Sequence, residues 1–219
     1  MTEAKSEPQS DDVAALAKGG RTNLAGFVLR LIARLPFIYF AGRWYGAEAL
    51  GRFAYAVLVV EFAAQLATLG LKRGLAQLLS SCDADDAHPG VVWDAMFVTM
   101  VASGGFAALL MLFPQILFPN SSINRLDHLF PLIIFAVAWT DIALSALAYR
   151  YDVGATVRAR SIVEPWAISL AAIGFAYYSL RDGLILAYVV SMIAAWATAM
   201  VPLLRSYGLP DGWNLHPAR

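Results

Sequence analysis

The stretch NLAGFVLRLIARLPFIYFA, residues 23–41, is apolar over the length of a membrane crossing and is interrupted by two arginines. A transmembrane helix needs about 20 predominantly apolar residues to cross a hydrocarbon core about 30 Å thick. The whole chain has a similar composition: 59% of its residues are hydrophobic and 15% are charged, where a soluble domain carries roughly 25% charged residues. We therefore expect an all-α, polytopic integral membrane protein.

Apolar blocks of this kind recur along the chain, separated by short segments rich in Gly, Pro, Asp and Asn. They predict a bundle of six transmembrane helices at residues 23–41, 49–71, 91–118, 129–149, 162–180 and 184–204. The bundle occupies residues 22–205, between an N-terminal segment, 1–21, and a C-terminal tail, 206–219. We expect a tilt or a kink in the long third span, which contains Gly104, Gly105 and Pro114, and a tight antiparallel hairpin at residues 181–183.

The placement of basic residues predicts the orientation of the bundle, because Lys and Arg are enriched on the cytoplasmic side. One side carries Lys18, Arg21, Lys72, Arg73, Arg150, Arg158, Arg160 and Arg205, and the other carries Arg43, Arg52, Arg125 and Arg181. Both termini are therefore predicted to be cytoplasmic.

Several function classes are disfavoured by composition and motifs. The formal net charge is zero, which gives no reason to expect a nucleic-acid partner. The single cysteine, Cys82, excludes an internal disulfide, and the three scattered histidines do not predict a metal site. The chain has no nucleophile elbow and no phosphate-binding glycine loop, so we expect neither an enzyme nor a bound cofactor.

Arg30 and Arg34 are the most informative residues of the first span. With a rise of ~1.5 Å per residue from residue 23, they lie about 10 and about 16 Å deep, and their spacing places both on one helical face. Each costs roughly 2.5–3.5 kcal/mol to insert, so a counter-charge, a hydrated cavity or an anionic ligand is required. A guanidinium suits phosphate and carboxylate through its planar fork of donors.

Acidic residues of other spans are the natural counter-charges. Glu61 lies near the middle of the second span and continues into Gln65, and Asp141 lies in the middle of the fourth. A structural ion-pair network that holds the bundle together is one interpretation. We prefer a hydrated, substrate-binding cavity lined by Arg30, Arg34, Glu61, Gln65 and Asp141.

Arg158 and Arg160 lie in a polar, basic segment at the expected level of the lipid headgroups. Ordinary positive-inside topology explains them, and a weak contact to an anionic headgroup is the sharper alternative.

Two motifs carry a family resemblance. The run GRWYGAEALGRF at 42–53, followed by LGLKRG at 69–74, resembles the first helical hairpin of bacterial polysaccharide-synthesis flippases, and residues 158–166 resemble that family's connection between the fourth and fifth spans. These flippases belong to the multidrug/oligosaccharidyl-lipid/polysaccharide exporter superfamily.

The resemblance implies an inner-membrane protein for surface polysaccharide or lipopolysaccharide synthesis. Its substrate would be undecaprenyl-pyrophosphate-linked sugar, flipped by alternating access, with possible coupling to an H⁺ or Na⁺ gradient. Arg30 and Arg34 would be the cations of the cavity.

Family members have two lobes of six helices, whereas this chain supplies one. The resemblance therefore implies one lobe of a fold with twelve or more helices, completed by a homodimer or by a separate second lobe. A truncated flippase fragment, a non-transporting interaction subunit and an intramembrane transferase are the alternatives.

Overall fold

The computed structural model describes residues 8–81, 88–119 and 122–208, with side chains from Leu24 onward, and all regular structure in these ranges is helical. The helices are α1 Pro8–Phe40, α2 Gly46–Ala67, α3 Leu71–Ser80, α4 His88–Leu112, α5 Arg125–Leu129, α6 Ile133–Tyr149, α7 Val153–Thr156, α8 Glu164–Ala176 and α9 Gly183–Tyr207. Two π-helical segments, Ala41–Tyr45 and Val157–Val163, connect α1 to α2 and α7 to α8. The prediction of an all-α fold is confirmed for these ranges. Cys82, from which the absence of a disulfide was predicted, and the predicted C-terminal tail beyond Gly208 lie outside the described ranges.

Four helical stretches of the described residues are long and apolar enough to cross a membrane: Leu24–Ser80, His88–Leu112, Arg125–Tyr149 and Gly183–Tyr207. The first is 57 residues long and contains the first two predicted spans, joined through a π-helical segment. The predicted fifth span is not among the four: α8 covers 13 residues, and the π-helical segment before it carries Arg158 and Arg160. Six spans therefore remain a prediction.

The sequence patterns did not predict α3. The second span was expected to continue to residue 71, but α2 ends at Ala67. Leu69 and Gly70 then adopt positive φ angles of 49° and 77°, a conformation that ends a helix. α3 is amphipathic: it buries Leu75 and Leu79 completely and leaves its polar face exposed. Because α3 has a mixed polar and apolar composition, the sequence patterns did not distinguish it from the neighbouring loop.

The third span has no helix kink at Pro114, because α4 ends at Leu112 and Pro114 begins a 3-10 turn. Proline lacks the backbone N–H that a continuing helix needs, and its ring clashes with the preceding turn. Gly104 and Gly105 remain inside a regular helix of 25 residues. The third apolar block is therefore one α-helix followed by a turn.

The buried core forms two clusters, one toward each end of the bundle. The first surrounds Phe53 and Tyr188, and the second surrounds Leu79, Leu147 and Leu203. Buried alanines are frequent in both clusters, which lets the helices approach closely. α8 and α9 pack along each other on either side of the turn at 181–183, which agrees with the predicted hairpin.

Arginine side chains are held by other residues at both ends of the bundle. At one end Arg52 forms ion pairs with Asp127 and Asp182, and its guanidinium lies 4.5 Å above the ring of Phe118. At the other end Arg150 donates to the carbonyl of Ser206. The structure thus separates basic residues that were assigned to opposite sides of the membrane.

Candidate functional site

An open groove of about 930 Å³ runs between α1 and α2. α6 forms its floor, and the π-helical segment Val157–Val163 with the start of α8 forms a further wall. All five side chains predicted as a binding set line this groove: Arg30, Arg34, Glu61, Gln65 and Asp141. Residues from three predicted spans therefore share one surface.

α1 lies directly on the π-helical segment, and Gly26 permits this approach. A β-carbon at Gly26 would lie 3.3 Å from Cγ2 of Val157 and 3.4 Å from Oγ of Ser161. Further along α1, the hydroxyl of Ser169, whose shorter hydrogen bond of 2.8 Å is to the carbonyl of Pro165, lies 3.2 Å from the carbonyl oxygen of Ala33. These contacts fix the helix that carries both arginines.

Arg30 and Arg34 form no ion pair with any residue that the structure describes. Arg30 is half-buried and donates from Nη2 to Oγ of Ser161 at 3.5 Å, at the long limit of a hydrogen bond. Its Nε is buried and has no hydrogen-bond partner among the described residues. Arg34 is exposed to the groove. Both guanidinium groups therefore have donors to spare.

Asp141 pairs with two other cations, so its predicted role as counter-charge to Arg30 and Arg34 is wrong. Nζ of Lys72 lies 3.0 Å from its carboxylate, and Arg160 forms a second ion pair with it. Nε2 of Gln65 donates to the same carboxylate at 2.9 Å. This cluster ties α2, α3, α6 and the π-helical segment together at one end of the groove.

Glu61 lies on the α2 side of the groove and is exposed. Its Oε1 accepts a hydrogen bond of 3.3 Å from the hydroxyl of Tyr188, which is buried on α9. Glu61 lies within electrostatic range of Arg34 and Arg160, but it has no ion pair among the described residues. One carboxylate thus faces the groove without a cation in contact.

Three charged residues of the groove were not part of the predicted substrate-binding set. Lys72 was assigned to topology, Arg160 to a weak headgroup contact, and Glu164 lies one helical turn after Arg160 and pairs with it at 2.9 Å. The i, i+4 spacing of Arg160 and Glu164 was a usable signal. Nothing in the sequence indicated that a π-helical turn would aim Arg160 at α6.

Arg158, the other proposed headgroup residue, lies outside the groove. It is exposed and lies 3.5 Å from Asp152. The groove is lined by four basic side chains (Arg30, Arg34, Lys72 and Arg160) and three acidic ones (Glu61, Asp141 and Glu164). Among the described residues it therefore carries one excess positive charge, and its free cations are the two arginines of α1.

Within the described ranges no group of three His, Cys, Asp or Glu side chains is placed to hold a metal ion. Comparison with protein-family models, with curated proteins and with solved structures gives no match.

Proposed function

We propose that this chain is a multi-pass protein of the bacterial inner membrane, with both termini in the cytoplasm, that moves a lipid-linked oligosaccharide across the bilayer. Four helical stretches of sufficient length and apolarity support insertion into a membrane. The motifs at 42–53 and 69–74 support a flippase of the polysaccharide-synthesis type.

The observation that supports this proposal most directly is that Arg30 has N–H groups without a hydrogen-bond partner and no ion pair among the described residues. In a protein, buried polar groups are nearly always paired, and an unpaired one costs about 1–3 kcal/mol. Arg30 retains a buried, unpaired Nε in a groove that already holds an excess positive charge. A phosphate in the groove would accept from the Nη atoms of the guanidinium fork and place a negative charge beside both arginines.

The walls of the groove favour an amphiphilic ligand over a free anion. Beside the charged side chains, apolar residues line the groove, including Phe53, Val57, Leu58 and Phe62. A lipid-linked saccharide carries a polyprenyl chain, a pyrophosphate and a polar sugar, which would match the apolar wall, the arginines and the remaining polar side chains.

Transport by alternating access requires a second surface that closes the groove. Arg34, Glu61 and Gln65 are all exposed in the single chain. We therefore include a second lobe in the proposed transporter.

A transport assay tests this function. The purified protein is reconstituted in liposomes with a polyprenyl-pyrophosphate disaccharide that carries a fluorophore on the sugar, and a membrane-impermeant quencher reports its movement between leaflets. We expect the protein to accelerate this movement over empty liposomes, and Arg30→Gln to slow it about tenfold or more through loss of a charged hydrogen bond. Arg158→Gln, an exposed arginine outside the groove, is the matched control. Movement no faster than in empty liposomes would refute transport.

A non-transporting interaction subunit is the second candidate, and the cluster around Asp141 favours it. Lys72, Gln65 and Arg160 satisfy this carboxylate and join separate helices, which is the arrangement expected of a structural network. The two functions differ at Arg30, which takes no part in that cluster. An interaction subunit would tolerate Arg30→Gln without any change in lipid binding.

A further inference from the structure

The two sides of the groove are supported by different parts of the bundle. α1 packs against α8 and the π-helical segment Val157–Val163, whereas α2 packs against α4 and α6. The space between α1 and α2 is open, and Arg34 on one side and Glu61 on the other are both exposed. The groove therefore has a cationic rim on α1 and an acidic rim on α2.

An open groove of this kind is costly at the level of the hydrocarbon core. Charged side chains there are expensive unless they pair with one another or face a cavity, and polar groups drive the association of membrane helices. Apolar side chains alone give no such drive, because lipid tails solvate them equally well. Arg34 and Glu61 are thus the groups whose exposure a partner would relieve.

The arrangement of the two rims is self-complementary. A two-fold axis parallel to the membrane normal, passing in front of the groove, exchanges left and right but preserves depth. It places α1 of one copy opposite α2 of the other. Arg34 and Glu61 line the same groove from its two sides, and Arg34 is close enough to act electrostatically on Glu61. The same operation therefore brings Arg34 of each copy to Glu61 of the other.

The rims also offer apolar surface for this contact. Ile38 on α1 is 56% exposed, and Leu58 and Phe62 on α2 are 65% and 64% exposed. All three border the groove or the cavity of about 250 Å³ that adjoins it. They would pack around the two charge pairs and exclude lipid from them.

We propose that the groove is covered by a second copy of this chain in a parallel two-fold dimer, with reciprocal Arg34–Glu61 ion pairs between the copies. The two grooves then face each other and enclose one chamber, which contains Arg30 of both copies. This inference deepens the proposed function and rests on it for the location of the site, but its partner and its contacts can be tested separately from the ligand.

Charge reversal tests the reciprocal pairs. Arg34→Glu places a carboxylate opposite Glu61 of the second copy, and Glu61→Arg places a guanidinium opposite Arg34. Each variant alone should lose self-association by about tenfold or more, since like charges replace both attractive pairs. When the two single variants are mixed, each contact is again between opposite charges. We expect the mixture to form heterodimers while neither variant forms homodimers.

The measurement is native mass spectrometry of protein released from lipid nanodiscs, with the two variants carrying tags of different mass. The double variant Arg34→Glu/Glu61→Arg should dimerise with itself, which also shows that the reversed charges are compatible with folding. Recovery in the double variant without heterodimers in the mixture would place the pair within one chain and overturn the inference. A monomeric wild-type protein would overturn it as well.

The ligand gives an independent outcome. A monomer that still binds a polyprenyl phosphate through Arg30 would refute the dimer and leave the proposed function standing. A dimer with the expected charge-reversal pattern but no phosphate binding would support this inference and refute the function.

Discussion

Lys72, at the start of α3, reaches to 3.0 Å from the carboxylate of Asp141 in the middle of α6. Arg160 forms a second ion pair with the same buried carboxylate. Both of these cations were expected from the sequence to follow the positive-inside rule. The arginines of α1 have no ion pair with this carboxylate or with any other among the described residues. The structural cluster and the free arginines are thus separate parts of one groove.

Loss of the carboxylate at Asp141 should destabilise the bundle. Asp141→Asn weakens the contact to Arg160, which keeps its ion pair with Glu164, and loss of a hydrogen bond to a charged group costs about 1.5–3 kcal/mol. We expect a decrease of this size in the free energy of unfolding, measured by denaturant titration in mixed micelles. Asp152→Asn is the control, because its exposed pair with Arg158 contributes about 0–1 kcal/mol. Equal effects of the two variants would show that the Asp141 cluster does not hold the helices together.

The turn before α9 should not accept a β-carbon. At Gly183 that atom would lie 2.6 Å from the hydroxyl oxygen of Tyr45 and 3.0 Å from the carbonyl oxygen of Phe175. Gly183→Ala would displace the Tyr45 hydroxyl from its hydrogen bond of 2.6 Å to the carbonyl of Ala172. We expect a loss of about 1–3 kcal/mol in unfolding free energy from overpacking.

Gly105→Ala is the matched control for this change. Nothing lies within 4 Å of a β-carbon built at Gly105, which is inside α4. Alanine is the better helix former, so this variant should be neutral or stabilised by up to about 1 kcal/mol. A stable Gly183→Ala protein would mean that Tyr45 packs differently against the turn.

The number and direction of the crossings can be checked by cysteine labelling. In a Cys82→Ser background, single cysteines replace the exposed residues Arg73, Arg181 and Arg205. Six spans place positions 73 and 205 on the cytoplasmic side and position 181 outside. We expect a membrane-impermeant maleimide to label position 181 in intact cells and the other two after the membrane is opened. Labelling of position 73 in intact cells would contradict the prediction that the second span crosses the membrane.

Hydrophobic patterning predicted much of the fold because long apolar blocks have few alternatives to a helix. The cores of α4, α6 and α9 follow it closely. The same patterning missed α3, whose burial depends on two leucines against neighbouring helices rather than on a long apolar run. It also extended the third span through Pro114, where backbone chemistry ends the helix.

The sequence predicted which residues line the candidate site but not which of them form ion pairs with each other. Charged residues within apolar blocks are rare, and this rarity singled out Arg30, Arg34, Glu61 and Asp141, which the structure brings into one groove. Pairing depends on where side chains point after the helices have packed. The π-helical segment turns Arg160 toward Asp141, and no local propensity of the sequence indicated that turn.

Direct binding tests most sharply whether Arg30 binds the phosphate of a lipid-linked ligand. Affinity for a short-chain polyprenyl phosphate is measured by native mass spectrometry for the wild-type protein, Arg30→Gln and Arg158→Gln. A charged hydrogen bond contributes about 1.5–3 kcal/mol, so Arg30→Gln should weaken binding by about 10- to 100-fold. Arg158→Gln should leave the affinity unchanged. Equal affinity of wild type and Arg30→Gln would contradict the claim.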